Sequence, residues 1–223
     1  MNQPKLSKRL LCAAEFVRDG AKAADVGCDH GKLAAFLITS GKAKSVVATD
    51  INQMPLSTAQ QLFEKLNIES KATAVRCFGL DNVLPIQADD IVIAGIGSDT
   101  ISEIITNTDW LKSSEKRLIL VPASHHERLR SFLYLSGYKI EDESAIVEAG
   151  HCYTVIAASY CGAISQVSAP FASLGKIKNV SDDALAYILK ERQKAERMLA
   201  VNAGSDKLQA ASEIIKYIDE ELL

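Results

Sequence analysis

The chain has 223 residues, of which 48 % are hydrophobic and 24 % are charged, and its formal net charge is -3 at pH 7. These values are typical of a globular protein with one main core and a smaller appended element, and no apolar run reaches the roughly 18 to 20 residues of a membrane span. The mild acidity does not favour a strongly basic nucleic-acid binder, although cationic side chains collected on one face remain compatible with RNA binding.

The cysteines and the N-terminus indicate the compartment. Five cysteines, an odd number without a C-x-x-C pair, argue against a disulfide framework and a thiolate zinc site. We expect reduced thiols at Cys12, Cys28, Cys77, Cys152 and Cys161. Residues 1–10 contain basic side chains but precede no apolar block with a cleavage site, so we expect no secretory signal and a cytoplasmic protein. We predict no metal, because the adjacent His125 and His126 would point to different faces of a helix.

Strand and helix patterns alternate through the first 136 residues. Helical spacing of apolar residues covers 6–17, 31–40, 55–67, 101–105 and 125–136. Short apolar runs between them predict strands at "KAADVG", "SVVATD", "ATAVRC", "DIVIAG" and "RLILV". This alternation predicts an α/β fold with a parallel sheet and right-handed crossovers.

The pattern changes after Gly137. Residues 138–149 and 151–161 are two extended runs joined around Gly150, with no room for a crossover helix, so they should pair antiparallel. A mainly parallel sheet whose last strand is antiparallel differs from the all-parallel dinucleotide-binding fold. It is the ending of the Rossmann-like class I methyltransferase sheet.

The C-terminal quarter has a helical pattern. Residues 163–180 lack periodicity and predict a connection, after which apolar residues advance by three and four along two helices. The predicted seam comprises Leu185, Ile188, Arg192, Ala195 and Leu199 on one helix and Leu208, Ala211, Ile215, Ile218 and Leu222 on the other. With a turn at "NAGSD", this predicts a coiled-coil-like hairpin whose seam closes within one chain or is shared between two. The predicted domains are 1–162, Rossmann-like, and 163–223, the hairpin.

The stretch "AADVGCDHG", residues 23–31, joins the first predicted strand to the next helix. Gly27 and Gly31 allow the backbone to approach a nucleotide closely. Binding of NAD requires G-x-G-x-x-G, but Asp29 stands where the middle glycine is expected and would repel a pyrophosphate. The turn therefore argues against an NAD-linked oxidoreductase.

S-adenosylmethionine suits the same turn better, because it carries no phosphate and has a sulfonium and an ammonium group. The carboxylates of Asp25 and Asp29 could accept from the ammonium, and Asp50, after the second strand, could bind both ribose hydroxyls. The D-x-G opening is the first motif of Rossmann-like methyltransferases. The same residues would also suit an ordinary strand end in any α/β protein.

Several motifs together resemble one family. "KLSKRL", "ADVGCDH", "ATDINQMPLSTA", "VRCFGLDNVL", "DIVIAGIGSDTI" and "RLILVPASHHERLRSFL" are similar, in order and spacing, to the bacterial tRNA adenine-N1 methyltransferases that modify position 22, often called TrmK. The resemblance covers essentially the whole chain, including the C-terminal helical hairpin. It implies S-adenosylmethionine as cofactor, tRNA as substrate, and methyl transfer to adenine N1.

The resemblance also implies site residues. Those expected to bind the cofactor are Asp25, Gly27, Cys28, Asp29, His30, Asp50, Ile51, Phe78, Gly79, Gly95 and Ile96. We expect Asp29 and the loop 95–98, which includes Gly97, to frame the methyl group and the target base. His30 would orient these groups rather than act as an obligatory base, or would be only a turn residue hydrogen-bonded to the backbone. Three positions depart from the family pattern: Phe78 replaces an acidic residue, Ser98 replaces glycine and Ala123 replaces asparagine.

The sequence also suggests where RNA would bind. The basic residues expected to contact tRNA are Lys5, Lys8, Arg9, Arg128, Arg130, Lys190, Arg192, Lys194 and Arg197. Exposed charge on a helix is also compatible with an ordinary solvated face. An alternative function is a divergent relative that binds RNA or a protein through the hairpin, with weak methylation or none.

Overall fold

The protein structure, a computed structural model, describes residues 3–200 and 204–223. The strands are β1 (Ala21–Val26), β2 (Ala43–Asp50), β3 (Ala72–Arg76), β4 (Asp90–Ala94), β5 (Arg117–Val121), β6 (Tyr138–Glu148) and β7 (His151–Tyr160). The helices are α1 (Lys8–Phe16), α2 (Lys32–Thr39), α3 (Gln53–Lys65), α4 (Ser98–Asn107), α5 (His126–Leu135), α6 (Ala169–Leu174), α7 (Asp182–Ala200) and α8 (Ser205–Tyr217). Within these ranges no helix combines the length and the hydropathy needed to cross a membrane.

The seven strands form one sheet in the order β3-β2-β1-β4-β5-β7-β6. Strands β1 to β5 pair in parallel, and β7 pairs antiparallel with both β5 and β6. The predicted Rossmann-like sheet with its antiparallel ending is therefore confirmed. The strand order reverses between β1 and β4, and ligands in open α/β sheets bind beyond the carboxyl ends of the strands at such a reversal.

Helices cover both faces of the sheet because the central strands are apolar on both sides. Neighbouring residues of β1 show this: Ala23 packs in the cluster with α1, α2 and α3, whereas Ala24 packs in the cluster with α4 and α5. Gly31, at the start of α2, sets the spacing of α2 and α3. Its φ is +66°, and a Cβ there would lie 2.6 Å from the Cβ of Ala59. Glycine is thus required where the first turn enters its helix.

The connection predicted at 163–180 contains a helix that the sequence analysis missed. The Oγ of Ser168 accepts a hydrogen bond from the Phe171 backbone N–H at 3.3 Å, and Pro170 lies in the first turn of α6. Six residues are too few to show apolar periodicity. The serine cap followed by proline was the available signal.

The predicted hairpin seam is confirmed only in part on α8, where Leu208 and Ile215 are half-buried, and it is rotated on α7. On α8, Ala211 is buried, and Ile218 follows it in the buried stripe. On α7, Leu199 is 41 % exposed and Arg192 pairs with Asp219, so these two do not belong to the seam. The buried residues of α7 are instead Ala184, Tyr187, Ile188, Glu191 and Ala195. The stripe is rotated because α7 packs on β6 and α6 as well as on α8. Most of the predicted turn lies outside the described residues.

A buried polar cluster joins α5, β6, α6 and α7. The guanidinium of Arg130 donates to the Glu143 carboxylate at 2.6 and 2.9 Å, and to the carbonyl of Ser173 at 2.6 Å. It also donates to the Tyr187 hydroxyl, which in turn donates to the Ser173 carbonyl. Arg130 is fully buried, so its predicted contact with tRNA is wrong: its charge is already matched inside the protein.

Candidate cofactor and target site

The turn after β1 is held against the end of β2. The backbone N–H groups of Gly27 and Cys28 both donate to the Thr49 carbonyl at 2.9 Å. Gly27 has φ +71°, and Asp29 has φ +50°, which is unusual for a residue with a side chain. Strained backbone of this kind persists where the surrounding structure fixes it, and it is concentrated at functional sites.

The two carboxylates of this turn lie in different environments. Asp25 is 4 % exposed, and its Oδ2 accepts a hydrogen bond from the Ala34 backbone N–H at 3.2 Å. The pKa of Asp25 is raised to about 7, mainly by burial and in addition by the nearby Asp29 and Asp50 carboxylates, while the hydrogen bond from Ala34 acts in the opposite direction. The Asp29 side chain is exposed, and its Oδ1 lies 3.4 Å from Nε2 of His30.

Cys28, between them, is buried and does not supply a nucleophile. Desolvation is the main reason that the pKa of its thiol lies above the ordinary value. All five cysteines are free thiols, as the sequence analysis predicted.

A first cavity of about 300 Å³ opens at this turn. Its lining comprises Arg9, Leu10, Asp25, Gly27, Cys28, Asp29, His30, Lys32, Leu33, Ala94, Gly95 and Ile96. Carboxylates and cationic side chains therefore face the same space. Such a cavity suits a ligand group that carries both signs of charge.

A second cavity of about 230 Å³ adjoins the first and shares Gly27 and Ile96 with it. Asp50, Ile51, Phe78 and Gly79 line it. The Oδ1 of Asp50 accepts a hydrogen bond from the Asn52 backbone N–H at 2.8 Å. Phe78 forms part of the wall and leaves the cavity open.

The loop after β4 carries Gly95 and Ile96, which are expected to bind the cofactor, and Gly97, which is expected to help frame the target base. Gly95 has φ +81°, and nothing lies within 4 Å of where its Cβ would stand. The Ala123 backbone N–H donates to the Ile96 carbonyl at 2.9 Å, which ties this loop to the loop after β5. Gly97 lies one residue beyond the shared cavity wall and immediately precedes α4, whereas the buried Ser98 hydroxyl has no hydrogen-bond partner among the described residues.

The structure thus places together all eleven residues expected to bind the cofactor. It adds Arg9 and Leu10, which the sequence analysis did not assign to this site. Arg9 was expected on the RNA surface, because helical periodicity places it on the polar face of α1 but does not say what that face meets. Its position in the "KLSKRL" motif was the one available signal.

Several residues of the predicted RNA surface are engaged elsewhere. Lys8 pairs with Asp183 at 2.5 Å, and Lys194 lies 3.6 Å from both Glu127 and Glu191. The exposed basic residues of the predicted set are Lys5, Lys8, Arg128, Lys190 and Arg197. Arg197 also borders a mostly apolar cleft of about 600 Å³ between α6, α7 and α8.

Comparison with known proteins gives similarities of three kinds, to a family model, to a relative in sequence and to solved structures, and they agree with one another. A family model described as a methyltransferase domain matches residues 6–156. The tRNA (adenine(22)-N(1))-methyltransferase of Bacillus subtilis (strain 168) is 35 % identical over 158 residues, which are 71 % of this chain and 66 % of that protein. The chain thus spans just under two thirds of the length of that relative.

Two solved structures are similar over nearly the whole chain. A Streptococcus pneumoniae protein described as a candidate tRNA (m1A22) methyltransferase, in complex with S-adenosyl-L-methionine, is 30 % identical with a TM-score of 0.81, and the match covers 95 % of this chain and 100 % of that one. The M. capricolum TrmK in complex with S-adenosyl-homocysteine is 26 % identical with a TM-score of 0.78, and the match covers 96 % and 98 %.

Proposed function

The chain belongs to the methyltransferase domain family, and on that basis we propose that it transfers a methyl group from S-adenosylmethionine to N1 of an adenine in tRNA. Position 22 is the target named for the Bacillus subtilis relative, and we propose the same position here. The observation that carries the proposal is the pair of adjoining cavities at the strand-order reversal. One contains charges of both signs, and the other contains a carboxylate beside an aromatic side chain.

The residues of the two cavities fit this cofactor. The Asp25 and Asp29 carboxylates in the first cavity favour an ammonium or sulfonium group and would repel a pyrophosphate. In the second cavity, Asp50 has one Oδ atom bonded to its own turn and is suited to accept from ribose hydroxyls, while Phe78 offers a face to adenine. When bound, S-adenosylmethionine supplies an electrophilic methyl group on its sulfonium.

Positioning is the main task of the protein in this reaction. Adenine N1 has a lone pair at neutral pH, so no residue needs to remove a proton before attack. The open backbone around Gly95 and Gly97 leaves room for a flat base, and we assign Asp29 and this loop to framing it. His30, within 3.4 Å of Asp29, orients that carboxylate. Because the methylated base is cationic, the Asp29 carboxylate also stabilises the charge that develops on it.

The RNA is expected to lie across exposed cations of α7 and of the segment before α1. Arg197 and Lys190 on α7 and Lys5 before α1 are exposed, and we propose them as phosphate contacts. A tRNA substrate would also place the protein in the cytoplasm. The target adenine must leave its stack to enter the site, at a cost of a few kcal/mol.

The test is methyl transfer in vitro with labelled S-adenosylmethionine and two tRNA transcripts, one with adenine and one with guanine at position 22. We expect label only in the adenine transcript, and mass-spectrometric mapping should place it on N1. Asp29→Ala and Gly97→Leu should each lower the rate at least tenfold, whereas Glu69→Ala, an exposed carboxylate on the loop before β3, should not. Near-normal rates in both site variants would refute these assignments. Binding of tRNA without binding of S-adenosylmethionine would favour the non-methylating alternative.

A further inference from the structure

Arg9 is a cation that the proposed reaction does not use. It lies on α1, outside the sheet, yet it lines the first cavity together with Asp25 and Asp29. Its Nε atom is buried and has no hydrogen-bond partner among the described residues. A buried guanidinium nitrogen without a partner is costly, and a ligand that accepts from this guanidinium would offset part of that cost.

Two side chains hold Arg9 in place. The Tyr153 ring lies beneath its guanidinium, with Cζ 4.7 Å from the ring centroid. The Oε2 atom of Glu148 lies 3.7 Å from Nε, too far for a hydrogen bond but close enough for attraction between the charges. The other oxygen of Glu148 accepts from the Lys8 backbone N–H at 2.6 Å, which fixes the carboxylate to the start of α1. Arg9 is therefore pre-oriented at the cavity wall.

From this geometry we infer that Arg9 binds the α-carboxylate of the ligand in the first cavity, and that Tyr153 and Glu148 are positioning residues for Arg9. The inference rests on the proposed function, since it takes the amino-acid end of S-adenosylmethionine as the ligand. That end is a zwitterion. The Asp25 and Asp29 carboxylates match its ammonium, and Arg9 supplies the opposite charge that its carboxylate needs. Guanidinium suits this task because its planar fork matches a carboxylate.

Lys32 is the other candidate for the same role. It also lines the first cavity, at the start of α2. Its ammonium has no ion pair within the described ranges, and no aromatic ring fixes its flexible side chain. A preorganised cation loses less side-chain freedom on binding, so the geometry favours Arg9.

The test compares two ligands that differ only in the carboxylate. Calorimetry on the full chain measures binding of S-adenosylmethionine and of decarboxylated S-adenosylmethionine to the wild type and to Arg9→Gln. We expect the wild type to prefer the carboxylated ligand by about tenfold or more, as for one charge-assisted hydrogen-bonded pair. In Arg9→Gln the two affinities should become similar, because the loss falls on the carboxylated ligand alone.

Further variants separate the roles. Lys8 lies in the same turn of α1, but its ammonium pairs with Asp183. Lys8→Gln should therefore keep the wild-type preference for the carboxylated ligand. Tyr153→Leu should reduce the preference in part, while Arg9→Lys should restore part of it. The inference is overturned if the preference disappears in Lys32→Gln and persists in Arg9→Gln, or if Arg9→Gln weakens both ligands equally. Failure of the wild type to bind either ligand would instead overturn the proposed function, and this inference with it.

Discussion

If Asp25 binds the cofactor as we propose, we expect cofactor binding to depend on pH. Its carboxyl group is buried beside the first cavity with a pKa raised to about 7, so in the free protein it is largely protonated below neutrality. A cationic ligand favours the carboxylate, and binding at lower pH therefore requires Asp25 to release its proton first. We expect the affinity for S-adenosylmethionine to fall as the pH decreases through 7.

The size of the effect follows from the ionised fraction. With a pKa of about 7, roughly nine tenths of the Asp25 side chains are ionised at pH 8 and about one tenth at pH 6, so the apparent Kd should rise about tenfold between them. Calorimetry at both pH values measures this change. In Asp25→Asn the affinity at pH 8 should be lower and the tenfold difference should be lost. His30→Gln removes the imidazole that lines the same cavity, and the tenfold difference should persist in this control.

The raised pKa of Asp25 also predicts how the stability of the fold depends on pH. This dependence is opposite to that of a carboxylate in an ion pair. The pKa of Asp25 is higher in the folded protein than the ordinary value of 3.8, so its ionisation opposes folding. Its contribution favours the folded state below pH 4 and is lost as the pH rises toward 7. Asp25→Asn should therefore unfold at a higher urea concentration than the wild type at pH 8. For the binding prediction, an affinity of the wild type that is the same at pH 6 and at pH 8 would refute the reasoning about Asp25.

Three other outcomes follow from packing and exposure. Gly31→Ala should destabilise the protein by more than about 2 kcal/mol, because the new Cβ would collide with an alanine of α3. Gly41→Ala is the control, because it has the same left-handed strain but free space around the Cβ, and it should cost less. Urea unfolding measures both free energies. Arg130→Met should cost about 3–5 kcal/mol by leaving a buried carboxylate unpaired, and a cost similar to that of the exposed Arg128→Met would contradict this. Cys161 is the exposed thiol, so peptide mapping after brief treatment with a thiol reagent should find it modified first; faster reaction at a buried cysteine would be unexpected.

The order of the elements and the position of the candidate cofactor turn could be predicted because local patterns encode them. Buried strands separated by amphipathic helices fix the parallel sheet, and the single turn at Gly150 leaves room only for an antiparallel pair. Likewise Asp25, Gly27 and Asp50 lie at strand ends, and the carboxyl ends of parallel strands meet at one edge. The sequence alone was sufficient for these features.

Other features depend on contacts between distant residues. Arg9 reaches the cavity only because Glu148 and Tyr153, about 140 residues later, hold α1 against β6 and β7. Arg130 has the periodicity of an ordinary helical cation, and its burial depends on Glu143 and on carbonyl groups of α6. Neither side chain carries a local signal for its environment, so only the folded arrangement reveals it.

The buried cluster around Arg130 has a consequence for how a substrate would be selected. It fastens α7 to α5, whose first residue follows the loop that is tied to Ile96. The distance between α7 and the Gly95–Gly97 turn is thus fixed for a substrate that binds both. The protein would then select substrates by distance. It would accept an RNA whose target base lies at the right distance from the segment bound to α7, and it would reject one in which the same base lies a few ångströms nearer or farther away.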